Sequence, residues 1–300
     1  MNRRTIVIVA IVVLALAAAG ITLFLTWQPV HAPTPADFNG DQAYADVKYQ
    51  VGLGPRIPGT PPHDQIIQWI TSELKKASWQ VEVQQTSLMN HPIQNIIAKN
   101  GAAGAKPWII IGAHYDTRMW ANQDPDPSKR NQPVPGANDG ASGVAVLLEL
   151  ARNLETFKSK QIWLVFFDTE DQGDIPGWDW ILGSRAFVDS LSGKPDASVV
   201  IDMIGDKDLN IYRELNSNPA LTDTIWSVAA SLGYQNQFIN QGKYRMEDDH
   251  TPFLVKGLVA IDIIDFDYPA WHTTSDTPDK VSSASLKVVG DTLLRWVQAP

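Results

Sequence analysis

The sequence predicts an α/β fold: a single globular domain with a central mixed, mostly parallel β-sheet flanked by helices on both faces, preceded by an N-terminal transmembrane helix. Two observations predict the domain. Short apolar runs typical of buried strands alternate with longer segments of helical period, and most of these runs end in a polar loop. Strands that alternate with helices favour a sheet buried on both faces. A third observation, an uncharged run at the N-terminus, predicts the membrane helix.

The elements follow one another without an internal repeat. Helical period predicts helices over Gln65–Lys76, Ala141–Leu154, Leu221–Leu232 and Ser283–Val297, the second of them long and amphipathic. Apolar or alternating runs predict strands over Gln80–Gln85, Ile93–Ala98, Trp108–Gly112, Ile162–Phe167, Ala197–Ile201 and Leu258–Ile264. Ligands of such sheets bind at the carboxyl ends of the strands, so the polar residues that follow them are the first candidates for a functional site.

The composition excludes several classes of protein. Of the 300 residues, 44% are hydrophobic and 19% charged, which is unlike disordered, collagen-like or low-complexity chains. Cysteine is absent, so disulfides, thiolate metal ligands and a cysteine nucleophile are excluded. Acidic residues outnumber lysine and arginine by 33 to 24, and the net charge of −9 argues against nucleic acid as a partner.

Residues 1–27 are typical of a membrane anchor. The run from Thr5 to Trp27 has no charged residue, and about 20 apolar residues cross a bilayer as a helix. Because Arg3 and Arg4 precede the run, we expect a cytoplasmic N-terminus and a body outside the inner or plasma membrane.

Cleavage is the alternative to an uncleaved anchor. Residues 30–32 resemble a weak cleavage site, and cutting there would release a secreted protein. The proline-rich residues 28–40 are typical of a linker, and the remaining residues 41–300 form the predicted domain.

Imidazole and carboxylate side chains follow the predicted strands. His114 and Asp116 come after the strand that begins at Trp108, and residues two apart in an extended chain share a face. The further members of this set are Asp139 in a glycine-rich loop before a helix, Glu170, Asp171, Asp202 and His272. Nitrogen and oxygen ligands of this kind suit zinc. An adjacent pair of acids suits two tasks, one carboxylate on the metal and its neighbour as acid or base.

Each of these residues also has a purely structural explanation. Asp139 could cap the helix that follows it, and Asp202 could cap a turn. Glu170 and Asp171 could form a solvated turn, and His272 could be an exposed loop residue. The metal-site interpretation therefore depends on the set, in which every member lies just beyond an apolar run.

Five segments of the chain resemble one known family. GAHYD, GANDGASGVAVLLELAR, FFDTED, IDMIG and WHTTSDTPDKV are similar, in sequence and order, to the zinc aminopeptidases (peptidase family 28) and to the animal-type glutaminyl cyclases related to them. The resemblance covers roughly residues 44–298. It implies the aminopeptidase-like fold, a zinc-dependent enzyme and a peptide or protein substrate, and it leaves the oligomeric state open.

The resemblance implies two alternative metal sites. A di-zinc aminopeptidase would place one zinc on His114, Asp139 and Asp202, and a second on Asp139, Asp171 and His272. A glutaminyl cyclase would hold a single zinc on Asp139, Asp171 and His272, with Asp202 in a hydrogen-bond network. Glu170 would be the base in the first case and the general acid/base in the second. Counting ligands does not separate these alternatives.

Three further features resemble the cyclases. The segment Met246–Phe253 is similar to one that carries a buried acid near the zinc, which we assign to Asp248, although a helix cap is the alternative. Trp271 precedes His272 as the pocket-wall tryptophan does in cyclases, with a plain core residue as the alternative. Trp178, in a loop rich in glycine and proline, resembles a second tryptophan that lines the cyclase pocket.

The sequence also departs from the family. Asp171 stands where a glutamate is usual, so the backbone must approach the metal or the affinity must fall. The residues before Trp271 differ from the animal enzymes, and the aromatic residue of the wall there is either Phe266 or Tyr268. The loop Met119–Pro135 matches neither branch.

The resemblance therefore implies a glutaminyl-peptide cyclotransferase. Such an enzyme converts N-terminal glutamine to pyroglutamate and releases ammonia, with zinc as Lewis acid and Glu170, Asp248 and Asp202 as catalytic residues. An aminopeptidase is the alternative, and Glu247 or Asp248 would then hold the substrate's α-ammonium. A catalytically inactive, membrane-tethered binding module is the remaining alternative.

Overall fold

The computed structural model describes residues 37–299 of the chain. Its helices are α1 (Gly40–Gly52), α2 (Pro61–Lys76), α3 (Ala141–Asn153), α4 (Leu182–Ser190), α5 (Pro219–Ser231), α6 (Thr251–Val255) and α7 (Ser283–Gln298). Its strands are β1 (Gln80–Leu88), β2 (His91–Gly101), β3 (Trp108–His114), β4 (Gln161–Phe167), β5 (Ala197–Asp202), β6 (Ile211–Arg213), β7 (Phe238–Gly242) and β8 (Ala260–Ile264). Single 3-10 turns lie at Pro127–Lys129 and Pro278–Lys280.

The central sheet is mixed, as predicted, with the strand order β1-β2-β4-β3-β5-β8. Strands β1, β2 and β4 pair antiparallel, whereas β4, β3, β5 and β8 pair parallel. In this register Gly112 of β3 lies between Val165 of β4 and Val200 of β5. Because four neighbouring strands run parallel, their carboxyl ends meet at one edge of the sheet, where ligand sites of α/β proteins form. Strands β6 and β7 pair separately.

Helices cover both faces of the sheet, as predicted. Successive side chains of a strand point to opposite faces. Ile109 and Ile111 of β3 therefore belong to the larger core, which they share with side chains from α1, α2, α3, α5 and α7. Ile110 belongs to the smaller core, with Phe187 of α4 and Phe253 of α6.

Helix α3 corrects one prediction. Every residue from Ala141 to Ala151 is buried, so the helix is not amphipathic. It packs between β3 and the helices α1 and α7, and this position leaves it no face toward solvent. The burial anchors the loop that precedes α3 at the edge of the sheet.

Helix α1 is an element that hydrophobic period does not predict. Two of its buried positions carry polar side chains, Asp46 and Gln50. Asp46 accepts a hydrogen bond of 2.6 Å from Arg152, and Gln50 donates to the carbonyl of Ala141 over 3.0 Å. Hydrogen bonds to distant residues thus satisfy the buried polar side chains of α1, which in the sequence alone are typical of a surface segment.

The predicted membrane helix, residues 5–27, and most of the predicted linker lie outside the described residues. Within residues 37–299, no helix combines the length and the apolar character that crossing a membrane requires. The anchor therefore stays a prediction.

Candidate active site

The predicted site residues converge at the carboxyl edge of the parallel strands. His114 is the last residue of β3 and Asp202 the last of β5. Glu170 and Asp171 follow β4, and His272 lies in the loop after β8. The five residues come from the ends of four strands or the loops that follow them, so the sheet topology brings them to one place.

Asp139, Asp171 and His272 aim polar atoms at a common space. One potential ligand atom from each lies within 4.8 Å of the others. Nε2 of His272 is 2.8 Å from Oδ1 of Asp171 and 3.7 Å from Oδ2 of Asp139. Oδ2 of Asp139 and Oδ2 of Asp171 are buried and find no hydrogen-bond partner among the described residues. Unpaired buried carboxylate oxygens are costly, and a divalent cation would satisfy them, so the three residues fit a zinc ion.

His114 connects Asp139 to Asp202. Its Nε2 lies 3.1 Å from Oδ1 of Asp139 and 3.2 Å from Oδ1 of Asp202. These three residues also offer ligand atoms within 4.8 Å of one another. Asp139 is therefore shared by two candidate groups, which accommodate either two neighbouring metal ions or one ion beside a hydrogen-bond network.

The loop before α3 presents Asp139 to the site. Gly140 has φ +91°, and a Cβ there would lie 2.7 Å from the carbonyl oxygen of Asp116, so the position requires glycine. The N–H groups of Asn138 and Asp139 donate to the carboxylate of Asp276 over 2.8 and 3.2 Å. Gly140 is the N-cap of α3, and no side chain caps this helix. The capping explanation of Asp139 is therefore wrong.

Asp116 positions the pair of acids after β4. Its carboxylate accepts the N–H groups of Glu170 and Asp171 over 2.9 and 3.3 Å. Its Oδ1 also lies 3.5 Å from Nδ1 of His114, in agreement with the expectation that residues 114 and 116 share a face. One buried carboxylate thus orients three neighbouring site residues.

Burial and mutual repulsion dominate the electrostatics of the site. Burial raises the pKa of Glu170 well above its usual value, and the carboxylates of Asp171, Asp249 and Asp248 raise it further. Burial likewise raises the pKa of Asp202 to about 7. Crowded carboxylates make a buried site strongly attractive to a divalent cation, which offsets their charge.

A cavity of about 190 Å³ opens onto these residues. It is smaller than the pockets that hold drug-sized ligands, roughly 300–1,000 Å³. Trp180, Trp271 and Phe266 form its aromatic wall, and Glu170 lines it as well. Tyr268 is buried elsewhere and donates its hydroxyl to Asp276 over 2.6 Å, so the aromatic residue of the wall before Trp271 is Phe266.

The placement predicted for Trp178 requires correction. This ring does not line the cavity; it stacks on His91, with 3.5 Å between the ring centroids. Trp180 occupies the wall instead, with its ring nearly parallel to that of His272 at 5.9 Å and 4.8 Å from the guanidinium of Arg118. The resemblance identified the loop, but the path of its backbone decides which tryptophan faces the cavity.

Asp248 and Glu247 occupy different depths of the cavity. Asp248 is buried and lines the interior, and its carboxylate accepts the N–H of Asp249. His250 is the N-cap of α6 and no side chain caps that helix, so the capping explanation of Asp248 is wrong. Glu247 lies at the exposed mouth and accepts a hydrogen bond of 3.1 Å from Arg185.

A second buried polar cluster, which sequence reasoning missed, adjoins Asp248. Nε2 of His250 lies 3.3 Å from Oε2 of Glu214, and Nδ1 lies 3.8 Å from Oδ2 of Asp262. Atoms of Asp248, His250 and Asp262 come within 4.8 Å of one another. Burial raises the pKa of Asp262 well above its usual value, and Asp248 adds to the rise. The available signal was Asp262 itself, a carboxylate in the middle of the apolar strand β8.

Comparisons with known proteins agree with this geometry. The model of Peptidase family M28 matches residues 95–297. A glutaminyl-peptide cyclotransferase from Boiga irregularis is 26% identical over 291 aligned residues, which cover 81% of this chain and 76% of the relative. The crystal structure of Porphyromonas gingivalis glutaminyl cyclase is 35% identical, with a TM-score of 0.81, and covers 87% of this chain and 99% of that one. A Zn-dependent exopeptidase from Parabacteroides distasonis is 31% identical, with a TM-score of 0.82 and coverage of 89% and 100%.

Family model, relatives and fold lead to the same assignment. The family match alone spans more than half of the chain, and the structural neighbours superpose over nearly all of their length. The chain belongs to peptidase family M28, within its glutaminyl cyclase branch, and is an enzyme of that family.

Proposed function

We propose that the protein is a glutaminyl-peptide cyclotransferase that converts the N-terminal glutamine of peptides or proteins to pyroglutamate and releases ammonia. One zinc ion would be held by Asp139, Asp171 and His272. The observation that carries the proposal is the position of Glu170, a buried carboxylate that lines the same cavity as these three residues. The similarity to cyclotransferases and glutaminyl cyclases supports it.

The shape of the cavity suits a single terminal side chain. Both reacting groups, the α-amine and the side-chain amide, belong to one glutamine, so the protein mainly has to hold a folded conformer. The small volume and the aromatic wall favour such a conformer. Trp180 and Trp271 also exclude water, which would otherwise attack the same amide carbon.

Glu170 moves the proton. As the α-nitrogen bonds to the amide carbon, the Glu170 carboxylate accepts a proton from that nitrogen. It then returns the proton to the amide nitrogen, which leaves as ammonia when its bond to carbon breaks. Asp248 and Asp202 line the same cavity, and the carboxylate of Asp248 adds to the raised pKa of Glu170, which favours Glu170 holding the proton between the two steps. Zinc, when bound, supplies Lewis-acid polarisation of the amide carbonyl.

Two substrates tested side by side distinguish the candidate functions. We expect ammonia release from a peptide that begins with glutamine and no amino-acid release from one that begins with leucine. Release of leucine from the second peptide without ammonia from the first would show that the protein is an aminopeptidase and not a cyclase. A purified protein that performs neither reaction and holds no metal would support the inactive binding module.

One observation favours the aminopeptidase as second candidate. His114, Asp139 and Asp202 form a second three-residue group that shares Asp139 with the first, as a pair of metal ions would require. Glu247 is already paired with Arg185, so Asp248 is the remaining acid for the substrate's α-ammonium. Zinc stoichiometry tests this candidate: one ion per chain supports the cyclase and two support the aminopeptidase.

We also propose that residues 1–27 anchor the enzyme in the inner or plasma membrane, with the catalytic domain outside the cytoplasm. The uncharged run and the two arginines before it support this arrangement. Protease added to cells whose outer envelope has been removed should then digest the domain, and the undigested protein should remain with the membranes after salt washing. A mature N-terminus near residue 33 would instead indicate cleavage and secretion.

A further inference from the structure

We propose that the segment Arg118–Asp124 braces two of the three loops that carry the candidate metal ligands and thereby sets the affinity of the site for zinc. The inference rests on the metal site of the proposed function. Arg118 acts on the loop of Asp171, and Asp124 acts on the loop of His272. Both are positioning residues, since neither lines the cavity.

Arg118 holds the Asp171 loop from behind. The side chain is only 1% exposed. Its Nη1 donates to the carbonyl of Asp171 over 3.0 Å, and its Nη2 donates to that of Gly173 over 2.9 Å. Nη1 also lies 3.6 Å from Oδ1 of Asp171, and the guanidinium stacks on Trp180. A planar fork of donors fixes the backbone and the carboxylate together, which a point charge would not do.

Asp124 holds the His272 loop. Its Oδ2 accepts the N–H and the hydroxyl of Thr274 over 2.9 and 2.6 Å, and its Oδ1 accepts the N–H of Asp126. The N–H of Gln123 donates to the carbonyl of His272 itself over 3.1 Å. Gln123 and Asp124 therefore both form hydrogen bonds to the turn at His272–Thr274.

The turn needs such support because His272 is strained. Its φ is +54°, in the left-handed region that residues other than glycine seldom adopt. A conformation of this kind persists only where the surroundings hold it. The same conformation directs Nε2 toward Asp139 and Asp171, so support for the turn is support for the ligand geometry.

Zinc affinity of the folded protein tests the proposal directly. Removing a residue that hydrogen-bonds to a metal ligand typically lowers the affinity for the metal by about 10–100-fold. We expect Asp124→Ala to weaken zinc binding by that factor, measured by competition between the metal-free protein and a chromophoric chelator. A merely structural role would lower the melting temperature of the metal-free protein and leave the zinc dissociation constant unchanged.

Asp126→Ala is the matched control. Asp126 lies in the same loop and carries the same charge, but its carboxylate is exposed and, among residues 37–299, accepts only from Ser128. We expect this variant to bind zinc as the wild type does. Equal weakening by both variants would overturn the proposal, because the effect would then follow loop charge rather than the contact with Thr274.

A second variant removes one of the two hydrogen bonds between Asp124 and Thr274 from the other side. Thr274→Val deletes the hydroxyl donor but keeps Asp124, and it provides the measurement if Asp124→Ala does not fold. We expect weaker zinc binding in Thr274→Val, and less than additive weakening in the double variant because one contact is lost in both. Arg118→Lys keeps the positive charge but loses the two parallel N–H donors of the guanidinium. We expect it to weaken zinc binding through the loop of Asp171.

The outcomes separate this inference from the proposed function. Wild-type zinc affinity in both Asp124→Ala and Thr274→Val would overturn the proposed role of the segment Arg118–Asp124 and leave the cyclase assignment intact. A wild-type protein that binds no zinc would overturn the metal site of the proposed function, and the brace with it.

Discussion

Nε2 of His272 lies 2.8 Å from Oδ1 of Asp171, although the two residues follow different strands of the sheet. The aspartate stands where the family resemblance led us to expect a longer glutamate. The short side chain still reaches the common space because Arg118 holds the Asp171 backbone beside it. The ring of Trp271 also stacks on the imidazole of His272, with 3.9 Å between the ring centroids, and restricts it.

Glu170→Gln should separate metal binding from turnover. Glutamine keeps the size of the side chain but cannot accept the proton, and general acid–base groups typically contribute roughly 10²–10⁴-fold to rate. We expect unchanged zinc content and a loss of that order in ammonia release. Near-normal turnover would show that the acid/base assignment is wrong.

His272→Ala and Asp139→Ala should each remove zinc and abolish activity. Both side chains face the common space, and losing one leaves too few ligands for a stable site. His114→Ala is the informative comparison, because His114 belongs only to the second group. A single-zinc cyclase should retain one ion in this variant, as measured by metal analysis, whereas a di-zinc enzyme should fall from two ions toward one.

Trp180→Ala should impair substrate binding more than Trp178→Ala does. Trp180 lines the cavity, whereas Trp178 stacks on His91 away from it. We expect at least about a tenfold rise in KM for the first variant, because burial of an aromatic wall typically contributes 1.4 kcal/mol or more, on the order of a factor of 10. A larger rise in KM for Trp178→Ala would contradict the placement of the wall.

Glu214 should contribute to stability in a pH-dependent way. Burial alone would raise its pKa, but the adjacent imidazole of His250 and hydrogen bonds from the N–H groups of Asn216 and Met246 outweigh burial and lower the pKa from 4.5 to about 2. A carboxyl group whose pKa is lower in the folded than in the unfolded state stabilises the fold fully at pH values above the unfolded-state pKa. This stabilisation is lost as the pH falls through the folded-state pKa. The contribution at neutral pH is on the order of 3 kcal/mol.

Chemical unfolding at several pH values checks this expectation. Glu214→Gln should be less stable than the wild type at pH 7, and the two free energies of unfolding should converge as pH falls from about 4.5 toward about 2. Glu155→Gln, which changes an exposed glutamate, should follow the wild-type curve throughout. A difference that stays constant with pH would assign the loss to packing alone.

The parallel strands and most of the site were predictable because their signals are local. A strand buried on both faces needs a continuous apolar run, and a polar residue directly after it must lie at the edge of the sheet. His114 and Asp202 end the apolar strands β3 and β5, and Asp171 lies in the loop that follows β4. Helix α1 has no such local signal, because its buried polar residues make sense only once Arg152 and Ala141 are beside them.

The amino-acid sequence by itself thus determined the fold class, the family and the two candidate metal-binding groups that share Asp139. Only the tertiary structure decided that Trp180 rather than Trp178 forms the wall, that Phe266 rather than Tyr268 joins it, and that Asp124 grips the turn of His272. The physical reason is that these choices depend on contacts between segments far apart in the chain. No local period or motif encodes the direction in which a loop side chain finally points.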